Sequence, residues 1–141
     1  MPPPPYVDDA TVRASLARQA FLNLLGAEAT LVEPGRVVIE LPFRDDLGQQ
    51  NGCLHAGVMT SVADSACGYA ALTLMPDGSD VLSVGFTVNL LSPGVGDRFR
   101  ADARVVRSGR TLSVCRAEVT AVRAGHGDTP VAIMQATMMT R

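Results

Sequence analysis

The sequence predicts an α+β fold: a curved antiparallel sheet wrapped around one long apolar helix, with a further helix at the N-terminus. Three observations carry that reading. From Leu47 to Pro76 the only formally charged residue is Asp64, and Ala56 to Met75 is rich in Ala, Val, Leu and Met with no proline. Before and after this stretch lie short segments in which apolar and polar residues alternate with a period of two. Pro34-Gly35 and Ser108-Gly109 mark tight turns between such segments, and strands joined by short turns run antiparallel.

The elements follow in order. Residues 1–8 read as a flexible proline-rich lead-in, and 9–141 as a single domain, the count that 141 residues permit. Asp8 and Asp9 are good N-cap residues, and Val12, Leu16, Ala20 and Leu24 recur at helical spacing up to a stop at Gly26. Two extended segments come next, about Glu28 to Val32 and Arg36 to Phe43, the second with Val37, Ile39, Leu41 and Phe43 on one face. The apolar stretch then reads as a helix of about 20 residues, spanning roughly 30 Å and buried nearly all round.

Four strands close the chain. Leu82, Val84, Phe86, Val88 and Leu90 alternate with Ser83, Gly85, Thr87 and Asn89, which predicts a half-buried strand. Phe99, Ala101, Ala103 and Val105 alternate with charged residues. Cys115, Ala117, Val119 and Ala121 share a face of the next strand, and Val131 to Thr140 is the last. One sheet covers one side of the apolar helix, so a dimer or higher oligomer is expected to cover the other.

Composition excludes several classes. Twelve Lys and Arg against 14 Asp and Glu, a net charge of −2, give no electrostatic footprint for nucleic acid or a polybasic membrane contact. No secretory leader or membrane span is visible. Cys53, Cys67 and Cys115 are widely spaced with no zinc-ligand pattern, so no metal is expected and a reducing, cytoplasmic compartment is.

Asp64 is the chemical anomaly. A lone carboxylate in the middle of an apolar helix costs several kcal/mol or shifts its pKa. Position alone leaves two readings open: a structural Asp bonded to backbone or Arg, or a catalytic base or nucleophile in a dry cleft. Gln49-Gln50-Asn51-Gly52-Cys53-Leu54-His55-Ala56-Gly57 leads a polar loop into the helix N-terminus, where unpaired N–H groups favour developing negative charge. Ala56 and Gly57 are small enough for a carbonyl to approach their N–H groups. Tight packing at Gly57 and an ordinary loop histidine at His55 stay open as alternatives. Asp64 lies nine residues past His55, about 13 Å along one helix, too far to share a reacting carbon with its own N-terminus. Antiparallel pairing of two subunits' helices would bring the two together.

The block Gln49…His55-Ala56-Gly57-Val58…Asp64, followed by Ser83 to Pro93 (SVGFTVNLLSP) and Gly109-Arg110-Thr111-Leu112, resembles the hotdog-fold acyl-CoA thioesterases in their phenylacetate-degradation (PaaI-like) branch, over about residues 35–140. The resemblance implies a hotdog fold, a homodimer or dimer of dimers, and hydrolysis of an aryl- or medium-chain acyl-CoA to free acid and CoA at a subunit interface. No cofactor is implied, since coenzyme A is part of the substrate. Carried over by position, Asp64 is the acidic residue and His55 the histidine before the helix. Ala56 supplies the N–H that polarises the carbonyl, with Gly57 beside it, and Gln49 orients carbonyl or water. Asn51, Ser83 and Gly85 join the substrate-binding set, the last two lining the acyl pocket. Gly109, Arg110 and Thr111 form a turn suited to the CoA phosphates, or else a plain hairpin with a solvated arginine. The sequence departs from the family in having His-Ala-Gly where His-Gly-Gly is usual, and in combining Gln49 with Asp64. A non-catalytic acyl-CoA or acyl-carrier binding protein on the same fold is the alternative function.

Overall fold

In the computed structural model, residues 6–141 are described. The prolines of the expected lead-in lie outside the described residues. Tyr6 bridges to Pro76, and the buried Val7 donates its N–H to Met75 O at 3.1 Å, so the chain is tied down before its first helix.

The expected N-terminal helix is two helices, α1 (Asp9–Ala17) and α2 (Ala20–Leu25). Asp8 caps α1 by accepting the Thr11 N–H at 2.8 Å, and hydrogen bonding to the Thr11 side chain first, and to that N–H second, holds its carboxyl below the usual range. Gln19 then takes an extended conformation (φ −83°, ψ 106°) and resets the helical phase. Leu22 and Leu25 are buried after the break, whereas Leu24, expected inward, is 65% exposed. Gly26 ends α2 at φ +71°, a left-handed conformation that favours glycine.

Strands β1 (Glu28–Glu33) and β2 (Arg36–Pro42) form a hairpin, and a short turn over Asp45–Leu47 leads to α3 (Ala56–Leu72). Then come β3 (Val81–Leu90), β4 (Arg98–Ser108), β5 (Leu112–Val122) and β6 (Thr129–Thr140). The six strands form one antiparallel sheet in the order β1-β2-β4-β5-β6-β3. The crossover through α3 thus carries β3 to the far edge, beside β6 alone.

The core explains the scarcity of aromatics. Ala101, Ala103, Ala117, Ala121 and Ala136 are buried on the helix side of the central strands. They face a helix whose own buried residues include Ala63, Ala66 and Ala70, so small residues on both sides let α3 lie close to the sheet. The helix has 17 residues and stops at Leu72, short of the expected Met75.

Two expectations are corrected. The side of α3 away from the sheet is not apolar: Gly57, Thr60, Ser61, Asp64, Ser65 and Gly68 recur at three- and four-residue spacing and are left partly exposed. Strand β3 is not half-buried either. Leu82, Val84, Phe86 and Leu90 are 40%, 59%, 47% and 56% exposed, because among the described residues β3 has a neighbour on one side only.

A bulge completes the departure from strict alternation. Ser83 pairs with Met138 and Gly85 with Thr137, which leaves Val84 as the extra residue. Beyond it Phe86 pairs with Ala136 and Val88 with Met134. Since Met138, Ala136 and Met134 are all buried, Ser83 and the later even-numbered residues share the helix face.

Candidate active site

The loop before α3 is fixed by backbone hydrogen bonds. Gln49 N–H donates to Cys53 O at 2.8 Å and His55 N–H to Leu47 O at 3.0 Å, and Gly52 turns the chain at φ +82°. The β3–β4 connection clamps it from outside. Leu54 N–H donates to Gly94 O at 2.8 Å, and a Cβ on Gly94 would come within 2.5 Å of the Met59 side chain. Within the turn Asn51 N–H donates to Gln49 Oε1 at 2.5 Å, which engages the carbonyl end of that side chain and leaves its NH2 group without a partner among the described residues. Asn51 itself is exposed.

His55 is the N-cap of α3. Its Nδ1 accepts the Gly57 N–H at 2.8 Å, so the neutral ring carries its proton on Nε2. A Cβ at position 57 would lie 2.9 Å from that nitrogen, which is why glycine stands there. The expectation that both Ala56 and Gly57 offer N–H groups is therefore corrected: His55 takes the one on Gly57. Among the described residues nothing accepts the Ala56 N–H, which leaves it as the free donor of the first turn.

The second cluster lies about 13 Å further along α3. Asp64 is half-buried and makes no ion pair among the described residues; its partner is Ser83 Oγ, which donates to Oδ1 at 2.5 Å. The bulge aims Ser83 there, and its hydroxyl also lies 3.3 Å from Met138 Sδ. Thr60 and Ser61, on the same stripe, spend their hydroxyls on Ala56 O and Gly57 O at 2.9 and 2.7 Å. Asp64 keeps one oxygen free, beside a cavity of about 200 Å³ between α3, the start of β3 and the α1–α2 junction. Ser15, Gln19 and Tyr69 line that cavity, and nothing in the sequence marked them.

The remaining sequence-selected residues divide. Gly85 faces the side of the sheet away from α3 and is not brought to Asp64. Gly109, Arg110 and Thr111 tip the β4–β5 hairpin, where a Cβ on Gly109 would sit 2.2 Å from Leu112 O. The register Ser113, Met138, Ser83 puts this hairpin at the same end of the sheet as Ser83, two strands over. Arg110 is exposed there and unpaired among the described residues. Cys67 and Cys115 are buried, and burial pushes both thiols up, Cys115 to about 11, so neither is a nucleophile. No cluster of three metal-ligating side chains occurs among the described residues, and no described helix is long and apolar enough to cross a membrane.

Known proteins share this arrangement. The family profile described as Thioesterase superfamily matches residues 51–125, just over half the chain, from the loop before α3 into the β5–β6 connection. A thioesterase family protein from Silicibacter pomeroyi superposes with a TM-score of 0.89 at 47% identity, over 92% of this chain and 94% of that one. Human acyl-coenzyme A thioesterase 13 is 27% identical over 112 residues, 77% of this chain and 79% of its own. The Escherichia coli PaaI protein of the phenylacetic acid degradation operon shares the fold, with a TM-score of 0.79 at 23% identity over 91% of this chain and 88% of that one. With the sheet, the central helix and the profile all in agreement, the chain belongs to the thioesterase superfamily and is a hotdog-fold thioester hydrolase.

Proposed function

We propose that the protein hydrolyses acyl-CoA thioesters at a site shared by two subunits. The observation that carries this is the separation within one chain of a free backbone donor, Ala56 N–H, from a free carboxylate oxygen on Asp64, about 13 Å along the same helix. Strand β3 supplies the means of joining them. Among the described residues its outer edge is unpaired, and Leu82, Val84, Phe86 and Leu90 are exposed along it. Two such edges paired about a two-fold axis cover these side chains and set the α3 stripes of two subunits against each other, antiparallel.

In that dimer the thioester carbonyl docks on Ala56 N–H of one subunit, which stabilises the oxyanion as it forms. Asp64 of the other holds a water on the oxygen that Ser83 leaves free and takes its proton as the water attacks the carbonyl carbon. Collapse of the tetrahedral intermediate breaks the C–S bond and releases the CoA thiolate and the acid. The Gln49 amide orients the carbonyl. His55 caps and positions the first turn through its Nδ1, which is committed to Gly57 N–H, and is given no part in proton transfer. Arg110, with Gly109 and Thr111, meets the CoA phosphates. The free thiols fit a reducing, cytoplasmic compartment.

The test is thiol release from a panel of acyl-CoAs. Asp64→Asn keeps the acceptor for Ser83 and should lower turnover by about 10²–10⁴-fold with the native mass unchanged. Undiminished turnover in that variant overturns the mechanism. Saturable acyl-CoA binding without thiol release by the wild-type protein would assign the fold to binding instead.

A further inference from the structure

The donor end of α3 hangs on a turn that the N-terminal helices brace. His55 N–H donates to Leu47 O at 3.0 Å, and Leu47 N–H donates in turn to Arg44 O at 3.0 Å, so the place of the Ala56 N–H is passed on from the short turn over Asp45–Leu47. On its strand side this turn is held by Phe43 N–H, which donates to Asp97 O at 2.8 Å. Its middle residues, Asp45 and Asp46, are exposed.

Among the described residues one side chain ties this turn to the helices before it. Arg44 Nη2 donates to Leu24 O, a carbonyl in the last turn of α2, at 2.8 Å. Its Nε donates to Asp46 Oδ1 at 3.0 Å, and Nη2 lies 3.4 Å from Oδ2. The planar guanidinium thus spans two acceptors at fixed angles, which a lysine cannot do. The same hydrogen bond holds the Asp46 carboxyl below the usual range. Gly26 leaves room for the arginine, since a Cβ there would lie 3.3 Å from Arg44 Nη1. At the start of α2, Gln19 Nε2 donates to the Tyr69 hydroxyl at 2.7 Å, so this helix is pinned to α3 at one end and to the donor loop at the other. With side chains 37% and 71% exposed, the Arg44–Asp46 pair adds little to stability; what it fixes is where the turn lies.

We propose that Arg44 is a positioning residue for the oxyanion donor, and that α1 and α2 take part in turnover through it. The inference rests on the proposed role of the Ala56 N–H and adds to it the element that keeps that group on target. A misplacement of about 1 Å in a reacting geometry costs on the order of 10²-fold in rate. A turn released on its helix side while Phe43 still holds the other should move by less, and the loss should be correspondingly smaller.

The experiment is a double-mutant cycle read by thiol release. Arg44→Met keeps the aliphatic stem and should lower kcat by about five- to tenfold, with KM within about twofold and Tm within about 3 °C of wild type. Arg44→Lys, which reaches one acceptor but not both, should recover part of that loss. In an Asp64→Asn background, whose residual turnover still uses the donor, Arg44→Met should cost the same factor as in wild type. In an Ala56→Pro background the donor N–H is gone, and Arg44→Met should cost no more than about twofold. A loss of equal size in all three backgrounds overturns the inference, as does an unchanged kcat in Arg44→Met alone. Full activity in Ala56→Pro alone would instead remove the proposed donor beneath it.

Discussion

The two ends of the chemical stretch on α3 are built differently. At the N-terminus, backbone hydrogen bonds from Gln49, Leu54 and His55 and the His55 cap fix every atom near the Ala56 N–H within one chain. Around Asp64 a single side-chain bond from Ser83 does the fixing, on an edge strand most of whose apolar residues are left exposed. The donor end is finished in the monomer, and the acid end waits for something to cover it. A charge-stabilising donor needs rigidity that costs no reorganisation during reaction, whereas a base needs access to substrate and water. In the proposed dimer the edge strand sets the acid end at the junction of two subunits.

Breaking that junction should have the largest effect. Phe86→Glu places a charge on the unpaired β3 edge, where it would be buried between subunits. The native mass should fall to that of one chain and thiol release should be lost, although neither Asp64 nor Ala56 is altered. A fully active monomer would show that one chain holds the whole site.

The second experiment separates the two ends. Ala56→Pro removes the free N–H at a position where proline is tolerated, and His55 already has φ −62° and ψ 135°, the conformation that a residue before proline requires. Alone it should lower kcat by about 10²–10³-fold, the loss typical of one oxyanion donor. Mixed with Asp64→Asn under subunit exchange, it should recover about a quarter of wild-type activity. Random exchange makes half the dimers mixed, and each mixed dimer has one intact site of two. No recovery in exchanged dimers would place both groups in the same chain.

The same contrast governs how much the sequence disclosed. Asp64 was legible because a charge in an uncharged run needs a reason, and the donor end was legible because loop, His55 and small residues are contiguous. Central strands were legible because Ala101, Ala103, Cys115 and Ala117 are buried on one face, as a period of two requires. What failed depends on neighbours distant in sequence. Alternation in β3 looks the same in an edge strand and a covered one, and one bulge at Val84 reverses which face Ser83 occupies. The split at Gln19 has the same origin: helical spacing continues through it, but the bond to Tyr69 is tertiary.

A smaller effect sharpens the comparison by separating stability from turnover. His55→Ala removes the cap of α3 and should cost about 1 kcal/mol, or about 2–4 °C in Tm, with a moderate fall in kcat. Ser83→Ala should leave Tm nearly unchanged while lowering kcat, since its hydroxyl holds Asp64 at an exposed edge and otherwise makes only a weak contact with Met138 Sδ. Thermal unfolding and thiol release on the same samples read both. A large loss of stability in Ser83→Ala would make its bond to Asp64 a structural one.

The smallest effect concerns the stretch past the acid end, where Cys67 lies one turn beyond Asp64 and faces the core. Burial raises its thiol first, and the nearby Cys115 and Asp64 add to the shift; burial alone raises Cys115 to about 11. At pH 8 an alkylating reagent should therefore modify only the partly exposed Cys53 in the folded protein, seen as one adduct by mass spectrometry, with activity retained. The pH dependence has a definite sign. An unfolded chain ionises these thiols near their ordinary value of 9.0, while the folded chain keeps their protons, so the native state binds more protons and stability falls as pH rises from there toward about 11. Replacing Cys115 by Ala should flatten that decline. Rapid double labelling at pH 8 without unfolding would mean that the middle of α3 opens, and the donor and acid ends would then not be held at a fixed separation.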